Sequence, residues 1–230
     1  MTEPTACIIG ASRGLGLGLV QRYLAAGWRV IGTVRGEAPT ALHALIPGAG
    51  GRLAIERLDI NLPAELEDFR TRLAGRRCDL LFVNAGVSNG PAEQIGSVST
   101  DEFTRVMVTN ALSPMRVVEA LEALVPQDGL IALMSSGLGS VANNDSGGWE
   151  VYRASKAALN TLMRSFAARQ AGAGRSLALV APGWVRTDMG GPDATLDVAT
   201  STAGILASLA GLKGRPGLHY LDYQGRTLPW

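Results

Sequence analysis

The chain has 230 residues, enough for one domain with a sizeable core but too few for two typical domains and a linker. Its 47% of apolar residues suits a globular protein, and no run nears the roughly 18 apolar residues of a membrane-spanning helix, so a soluble protein with no membrane partner is expected. With 21 basic and 20 acidic residues the net charge is +1, and the absence of any block of like charge argues against a nucleic-acid partner and for a small-molecule ligand.

The opening stretch MTEPTACIIG carries no basic region ahead of its apolar residues and runs directly into a strand-like segment, Thr5 to Ile9. It does not read as a secretory signal, so a cytoplasmic location is expected. That strand leads into GASRGLG, with Gly10, Gly14 and Gly16 in a G-x-x-x-G-x-G pattern, Ser12, Arg13 and Leu15 between them, and a helical pattern over Leu15 to Ala26. Glycines at such a turn let the backbone approach a pyrophosphate lying over the helix N-terminus, although tight packing alone also selects them. A second strand, Arg29 to Val34, ends in GTVRG with no acidic residue at its tip. A carboxylate there would hold an adenine ribose 2′-hydroxyl, whereas Arg35, with Arg13 from the glycine loop, suits a 2′-phosphate. NADP(H) is therefore expected rather than NAD(H).

A short turn of helix fits Ala41 to Leu45, and a third strand, Leu53 to Leu58, ends in Leu58-Asp59-Ile60. After a helix over Ala64 to Leu73, a fourth strand, Leu80 to Val83, ends in Asn84-Ala85-Gly86. In an open parallel sheet these carboxyl ends border the ligand crevice, though such residues are also ordinary turn formers. Cys7 and Cys78 flank core-like strands and read as buried thiols rather than as a disulfide or zinc site. A long helical pattern, Asp101 to Leu124, contains Asn110 and, four residues on, Pro114. Proline has no N–H to return to the carbonyl of residue 110, so that carbonyl is left free in mid-helix.

A fifth strand, Leu130 to Met134, runs into Ser135 and Ser136, and a helix over Val151 to Ala171 contains YRASK. Tyr152 and Lys156 stand at i and i+4 and so share one helix face. With only 4 tyrosines and 2 lysines in the chain, that spacing arises by composition alone roughly 3% of the time, which argues that it serves chemistry. A sixth strand, Ser176 to Val180, is followed by PGWVRTDM, a helix over Leu196 to Leu209 and a seventh strand, His219 to Asp222. The alternation predicts a parallel sheet with helices on both faces, joined by right-handed crossovers.

GASRGLG, NAG, Asn110, the serine pair of LMSSGLG, YRASK and PGWVRTDM stand in the order of the short-chain dehydrogenase/reductase family, which the sequence resembles over essentially its whole length. Within that family GGWEVYRASKAALN, PGWVRTDMGG and LDYQGRTLPW resemble the C-factor-like and sniffer-like carbonyl reductases. The resemblance implies a single Rossmann-type doubly wound α/β domain over residues 1–230, with a seven-stranded parallel sheet flanked by helices. It implies a catalytic group of Asn110, Ser136, Tyr152 and Lys156; between the two serines the residues alone leave Ser135 open, and the resemblance favours Ser136.

A phenol needs its pKa lowered to exchange protons near neutral pH, and Lys156 with the positive nicotinamide is expected to do this. By resemblance Lys156 also reaches the nicotinamide ribose, Ser136 bonds the substrate oxygen, and the Asn110 carbonyl holds a water. The cofactor would further touch Asp59, Ile60, Asn84, Ala85 and Gly86, with Pro182, Gly183, Val185 and Thr187 at its carboxamide and Trp184 and Met189 bordering the substrate. The sequence departs from the family pattern at Ile9, at Val83, whose neighbours must supply loop hydrogen bonds from elsewhere, and in a longer segment between Ser136 and Tyr152 that could narrow the site. His43 and His219 lie in no motif, and no metal is expected. The implied activity is NADPH-dependent reduction of aldehydes or ketones by a homo-oligomer packed through the two long helices. The alternative is a signalling or interaction protein of the C-factor type that keeps the cofactor site.

Overall fold

The computed structural model describes residues 3–90 and 93–230. Seven parallel strands, β1 (Thr5–Ile9), β2 (Arg29–Val34), β3 (Leu53–Arg57), β4 (Leu80–Val83), β5 (Leu130–Met134), β6 (Ser176–Ala181) and β7 (Gly217–Asp222), form one sheet in the order β3-β2-β1-β4-β5-β6-β7. The inner strands are apolar at nearly every position because both faces are covered. Cys7 and Ile9, Leu81 and Val83, Ile131 and Leu133, and Leu177 and Leu179 face one core; the intervening Ala6 and Ile8, Leu80 and Phe82, Ala132 and Met134, and Ala178 and Val180 face the other. The first core is closed by α2 (Pro63–Arg72), α4 (Ser113–Leu121) and α5 (Glu150–Arg169). The second is closed by α1 (Gly14–Ala25) and α6 (Val198–Ala210). Cys7 and Cys78 are free thiols buried in the first core, as expected.

Each strand matches its expected position to within two residues: β3 stops one residue earlier, β6 runs one further, and β7 begins two earlier. The long helix expected over Asp101 to Leu124 is instead interrupted. Residues Thr100–Met107 form α3, Val108–Leu112 a wider π-turn, then α4 follows, and Glu122–Leu124 close as a 3₁₀ turn. The cause is Pro114, which lacks the N–H for an i→i−4 bond and whose ring crowds the carbonyl four residues back. The chain widens, and the Ser113 N–H reaches five residues back to the Val108 carbonyl. Ser99 caps α3 by accepting from the Glu102 N–H, and Asp197 caps α6 by accepting from Thr200. Among the described residues no helix is long and apolar enough to cross a membrane.

The chain leaves β1 towards β2 on one side and later enters β4 on the other, so a crevice opens at the carboxyl ends of this adjacent pair. There Gly16, in the first turn of α1, packs on the β1 turn: a Cβ at this position would lie 2.1 Å from the Gly10 carbonyl oxygen and 2.7 Å from the Asn84 side-chain nitrogen. The Gly10 carbonyl is backbone and cannot yield cheaply, and the Asn84 side-chain amide is tied to it by a hydrogen bond. Gly16→Ala is expected to cost about 3 kcal/mol or more in a urea unfolding titration. A loss under ~1 kcal/mol would show that the turn can shift to admit a methyl group.

Candidate active site

A cleft of about 500 Å³ lies over the carboxyl ends of β1, β2, β4, β5 and β6. The turn after β1 forms its floor. Gly10, at φ 85°, lies so close to the β4 turn that a Cβ would meet the Ala85 Cα at 2.9 Å. The hydrogen bonds that Ile9 and Val83 cannot make come from two other side chains. The Gly10 N–H donates to Thr33 Oγ1 at 2.9 Å, and Asn84 Nδ2 donates to the Gly10 carbonyl at 2.7 Å. Backbone bonds from Asn84 and Ala85 to the Ile9 carbonyl (2.9 and 3.1 Å) lock the two turns together. Gly14 and Leu15 open α1 at the cleft, and Arg13 at its N-cap makes no side-chain cap bond, so the first-turn amides face the cavity as a ready anion cradle.

Arg13 and Arg35, with Ser12, Gly36, Thr40 and Asp59, line an adjoining recess of about 460 Å³. Arg13 Nη1 pairs with Asp188 at 3.1 Å, an exposed contact that a competing phosphate can displace at little cost. Asp59, Ile60, Asn84, Ala85, Gly86, Pro182 and Thr187 line the main cleft. Gly183 and Val185 do not: Gly183 turns the chain at φ 79°, and Val185 is buried in a bridge to Leu196. The Thr187 hydroxyl accepts from the Gly190 N–H at 3.1 Å, which fixes the loop after β6. Met189 lines the cleft and is 44% exposed, and Trp184, 53% exposed, donates its indole N–H to the Gly190 carbonyl.

Tyr152 and Lys156 enter the cleft from α5. Lys156 is 3% exposed, and its ammonium donates to the Met134 carbonyl at the end of β5 (2.9 Å) while lying 5.8 Å from the centre of the Tyr152 ring. Asn110 is fully buried on the π-turn. Its Nδ2 donates to the Val87 carbonyl (2.8 Å) and to Ser155 Oγ (2.9 Å), while its Oδ1 accepts from the Val87 N–H (2.8 Å). Ser155 passes this on by donating to the Tyr152 carbonyl at 2.7 Å. The asparagine thus tacks the β4 turn to the helix that carries the tyrosine. Ser155 went unmarked in the sequence, where it is one small residue inside YRASK.

The two serines part company. Ser135 lines the cleft, is buried and donates to Asn160 Oδ1 at 2.7 Å, whereas Ser136 is half-buried beside it, its hydroxyl accepting from the Leu138 N–H at 3.1 Å and favouring the charged form of the Tyr152 phenol. Before any contribution from a positive nicotinamide, burial pushes Tyr152 up to about 12, against the opposing pull of the Ser136 hydroxyl. Burial also brings Lys156 down to about 8. Removal from water penalises the charged form of each, and spacing along a helix carries no information about burial.

The long segment before Tyr152 does not narrow the cleft, because none of residues 137–151 lines it. Three successive residues there are left-handed, Gly147 (φ 61°), Gly148 (φ 67°) and Trp149 (φ 53°), the last being the only such non-glycine among the described residues. Arg153, 8% exposed, holds the run: its guanidinium donates to the Gly148 carbonyl (2.9 Å), the Gly147 carbonyl (3.0 Å) and Ser146 Oγ (3.0 Å). This draws the loop aside and sets the Trp149 ring edge-on to Tyr152, with centroids 6.0 Å apart.

A phosphate cradle at a strand-to-helix turn, joined in one cleft to a tyrosine beside a buried lysine, defines a nucleotide-dependent α/β oxidoreductase. The short chain dehydrogenase model matches residues 4–195, and the chain belongs to that family. It is 41% identical over 164 residues to C-signal of Myxococcus xanthus, covering 70% of this chain and 98% of that one. Among solved structures, a Burkholderia multivorans protein assigned to the same family, crystallised with NADP bound, is 55% identical and superposes with a TM-score of 0.98, covering 100% of both chains. A carbonyl reductase from Pseudomonas aeruginosa PAO1 in complex with NADP is 37% identical, with a TM-score of 0.92 over 100% of both chains.

The Lys156 shift has a consequence for stability. Its folded pKa near 8 lies below the usual 10.5, so between these values the unfolded chain holds the extra proton. Stability from this group is therefore lowest below pH 8 and recovers as pH rises towards 10.5, by about 3 kcal/mol at most. Lys156→Met, which has no charge to bury, is expected to be more stable than the parent at pH 7. The difference should shrink by pH 9.5 in paired urea titrations, and a constant difference would contradict the buried-ammonium assignment.

Proposed function

We propose that the protein is an NADPH-dependent oxidoreductase that reduces aldehyde or ketone carbonyls to alcohols, reversibly, with Tyr152 as the proton donor. The observation that carries this reading is that Tyr152 and Lys156 enter from α5 the same cleft that contains the glycine cradle, with the Lys156 ammonium 5.8 Å from the centre of the Tyr152 ring.

The residues present fit the cofactor. A side chain at Gly10 or Gly16 would occupy the space of neighbouring backbone, and the first-turn amides of α1 lie open to the cleft. Gly10, Ser12, Gly14 and Leu15 would hold the pyrophosphate, with Gly16 allowing the close approach, and Arg13 and Arg35 the 2′-phosphate. Asp59 and Ile60 would meet the adenine, Asn84 to Gly86 and Lys156 the nicotinamide ribose, and Pro182 and Thr187 the carboxamide, on a loop that Gly183 and Val185 shape from outside the cleft. When bound, NADPH supplies the hydride.

The protein's own groups handle the proton and the developing charge. Pushed up to about 12, the Tyr152 phenol is neutral at pH 7 and holds its proton until an alkoxide forms beside it. Ser136 hydrogen-bonds the same oxygen as charge grows on it. Lys156 then faces a phenolate, and the attraction between the two charges in a dry site stabilises the state after transfer. Asn110 fixes the distance between the β4 turn and α5, on which this geometry depends. The protein would act as a homo-oligomer through the faces of the π-turn with α4 and of α5, where Leu112 of the turn and Leu162 of α5 are each 41% exposed.

A second reading, a signalling protein that retains the cofactor site, draws support from the likeness to C-signal. It gives no use to the pairing of Tyr152 with Lys156 in that cleft. The deciding experiment is NADPH consumption across aldehydes, ketones, diketones and quinones, with Tyr152→Phe alongside. The variant is expected to lose turnover at least 100-fold while its NADPH dissociation constant stays within about twofold, because the hydroxyl acts on the substrate. Parental turnover in the variant would defeat the assignment. Arg35→Asp is expected to weaken NADPH by about tenfold or more and to narrow or reverse the preference over NADH, by the loss of one charge-assisted bond. Equal dissociation constants of the parent for both cofactors would refute the arginine reading.

A further inference from the structure

The segment LDYQGRTLPW takes no part in the site as described, yet it reaches the site from behind. After β7 the chain reverses at Asp222, whose Oδ1 accepts the Gln224 and Arg226 N–H groups at 2.9 Å each. It returns antiparallel along β7, with the Leu228 N–H on the Tyr220 carbonyl (2.9 Å). This lays the Trp230 ring over Tyr220, with centroids 5.3 Å apart and planes at 36°. The guanidinium of Arg164, from α5, lies 4.5 Å from the Trp230 ring centre, and the Trp230 carbonyl accepts from the Ala142 N–H at 3.0 Å. One residue thus ties β7, α5 and the segment after β5 together.

Beneath that cover, Tyr220 is 1% exposed and its hydroxyl donates to the Ser136 carbonyl at 2.5 Å. The same carbonyl accepts from the Gly139 N–H at 2.9 Å, and the Ser136 hydroxyl accepts from the Leu138 N–H at 3.1 Å. Asn160 completes the surround, accepting from Ser135 Oγ and donating to the Gly139 carbonyl at 3.2 Å. Ser136 is therefore fixed at its carbonyl and at its hydroxyl. Of these fixtures only the Tyr220 bond comes from a distant strand, 84 residues along the chain. The Gly139 and Leu138 bonds to Ser136 are local and would move with the serine, while Asn160 on α5 holds only its neighbours Ser135 and Gly139.

We propose that Tyr220, covered by Trp230, is a positioning residue that sets where the Ser136 hydroxyl stands relative to Tyr152. The inference deepens the proposed reductase reading and rests on it for its kinetic consequence, but its structural core does not need turnover. Without the Tyr220 bond the Ser136 carbonyl keeps only the short-range Gly139 bond, and although Asn160 still holds the Gly139 carbonyl, the serine can rotate and its hydroxyl drifts from the phenol. Tyr220→Phe removes one oxygen and keeps the ring stack, so the fold should survive. Trp230→Ala, at a residue 37% exposed, loosens the same bond from outside.

The test is a double-mutant cycle with 4-nitrobenzaldehyde as the carbonyl probe, accompanied by crystal structures of the two single variants. Tyr220→Phe and Trp230→Ala should each lower kcat by about tenfold, with KM and the NADPH dissociation constant within about twofold. In a Ser136→Ala background neither should slow the enzyme further, because the group they position is gone. In both structures the Ser136 hydroxyl should be displaced from Tyr152. A Ser136 that stays in place, or a kinetic loss as large on the Ser136→Ala background as on the parent, would overturn the proposal. If the parent reduces no carbonyl on the wider panel, the reductase reading fails instead, and the position of Ser136 in the variant structures still decides the role of Tyr220.

Discussion

The site depends on an ammonium kept out of water. Lys156 is nearly inaccessible, and a buried cation persists only where its donors meet fixed acceptors. The Met134 carbonyl provides one because β5 ends there, its last carbonyl pointing beyond the sheet towards α5. For the helix to approach so closely its neighbours must be small. A Cβ on Gly139 would lie 2.9 Å from that of Lys156, and one on Gly86 would lie 3.5 Å from the ammonium. The glycine of the β5 turn, Gly139, is thus a consequence of the helix that carries the lysine, whereas at Gly86 the contact is an ordinary one. The same dry environment raises the phenol, so both groups are tuned by one cause acting on opposite charge types.

Holding that pair steady requires the edges of three elements to keep register, and the protein does this with side-chain amides. Asn110 bonds both polar groups of Val87 and reaches Ser155, while Asn84 bonds the Gly10 carbonyl. A planar amide with a donor and an acceptor can satisfy two backbone groups at once, which a hydroxyl cannot do at the same separation. The π-turn serves the same end. In a regular helix a residue four positions before a proline faces a crowding ring; the wider turn relieves this and keeps Asn110 aimed at the β4 turn.

The fold was legible because its signals are local and repeated. Apolar runs alternating with helical periods, and glycines at the first turn, point to a doubly wound sheet, and β1, β2, β4 and β5 fall on the expected residues. The positions of Tyr152, Lys156, Asn84 and Arg35 in or beside the cleft followed from family order as well as chemistry. What escaped the sequence depends on non-local facts. Pro114 marked a missing hydrogen bond but not the widened turn that answers it. Thr33 replaces the loop bond lost at Ile9 from a neighbouring strand, a substitution visible only once β1 and β2 are paired. The direction of the Tyr152 shift needed burial, and the separate fates of Ser135 and Ser136 needed Asn160 on a helix 25 residues away.

Arg153 shows how far a residue inside the motif can act from its centre. A cation near a helix N-terminus opposes the helix dipole, and Arg153 sits in the first turns of α5, so electrostatics alone would disfavour it there. It is kept because Trp149 occupies a left-handed conformation that a bulky side chain adopts only under constraint. Three donors in a planar fork meet two backbone carbonyls and a hydroxyl of that run, a geometry that a lysine point charge cannot match. The strain at Trp149 and the unfavourable charge placement are offset together by these bonds. The result is a helix that starts abruptly, two residues before the tyrosine, with a rigid aromatic edge beside the phenol.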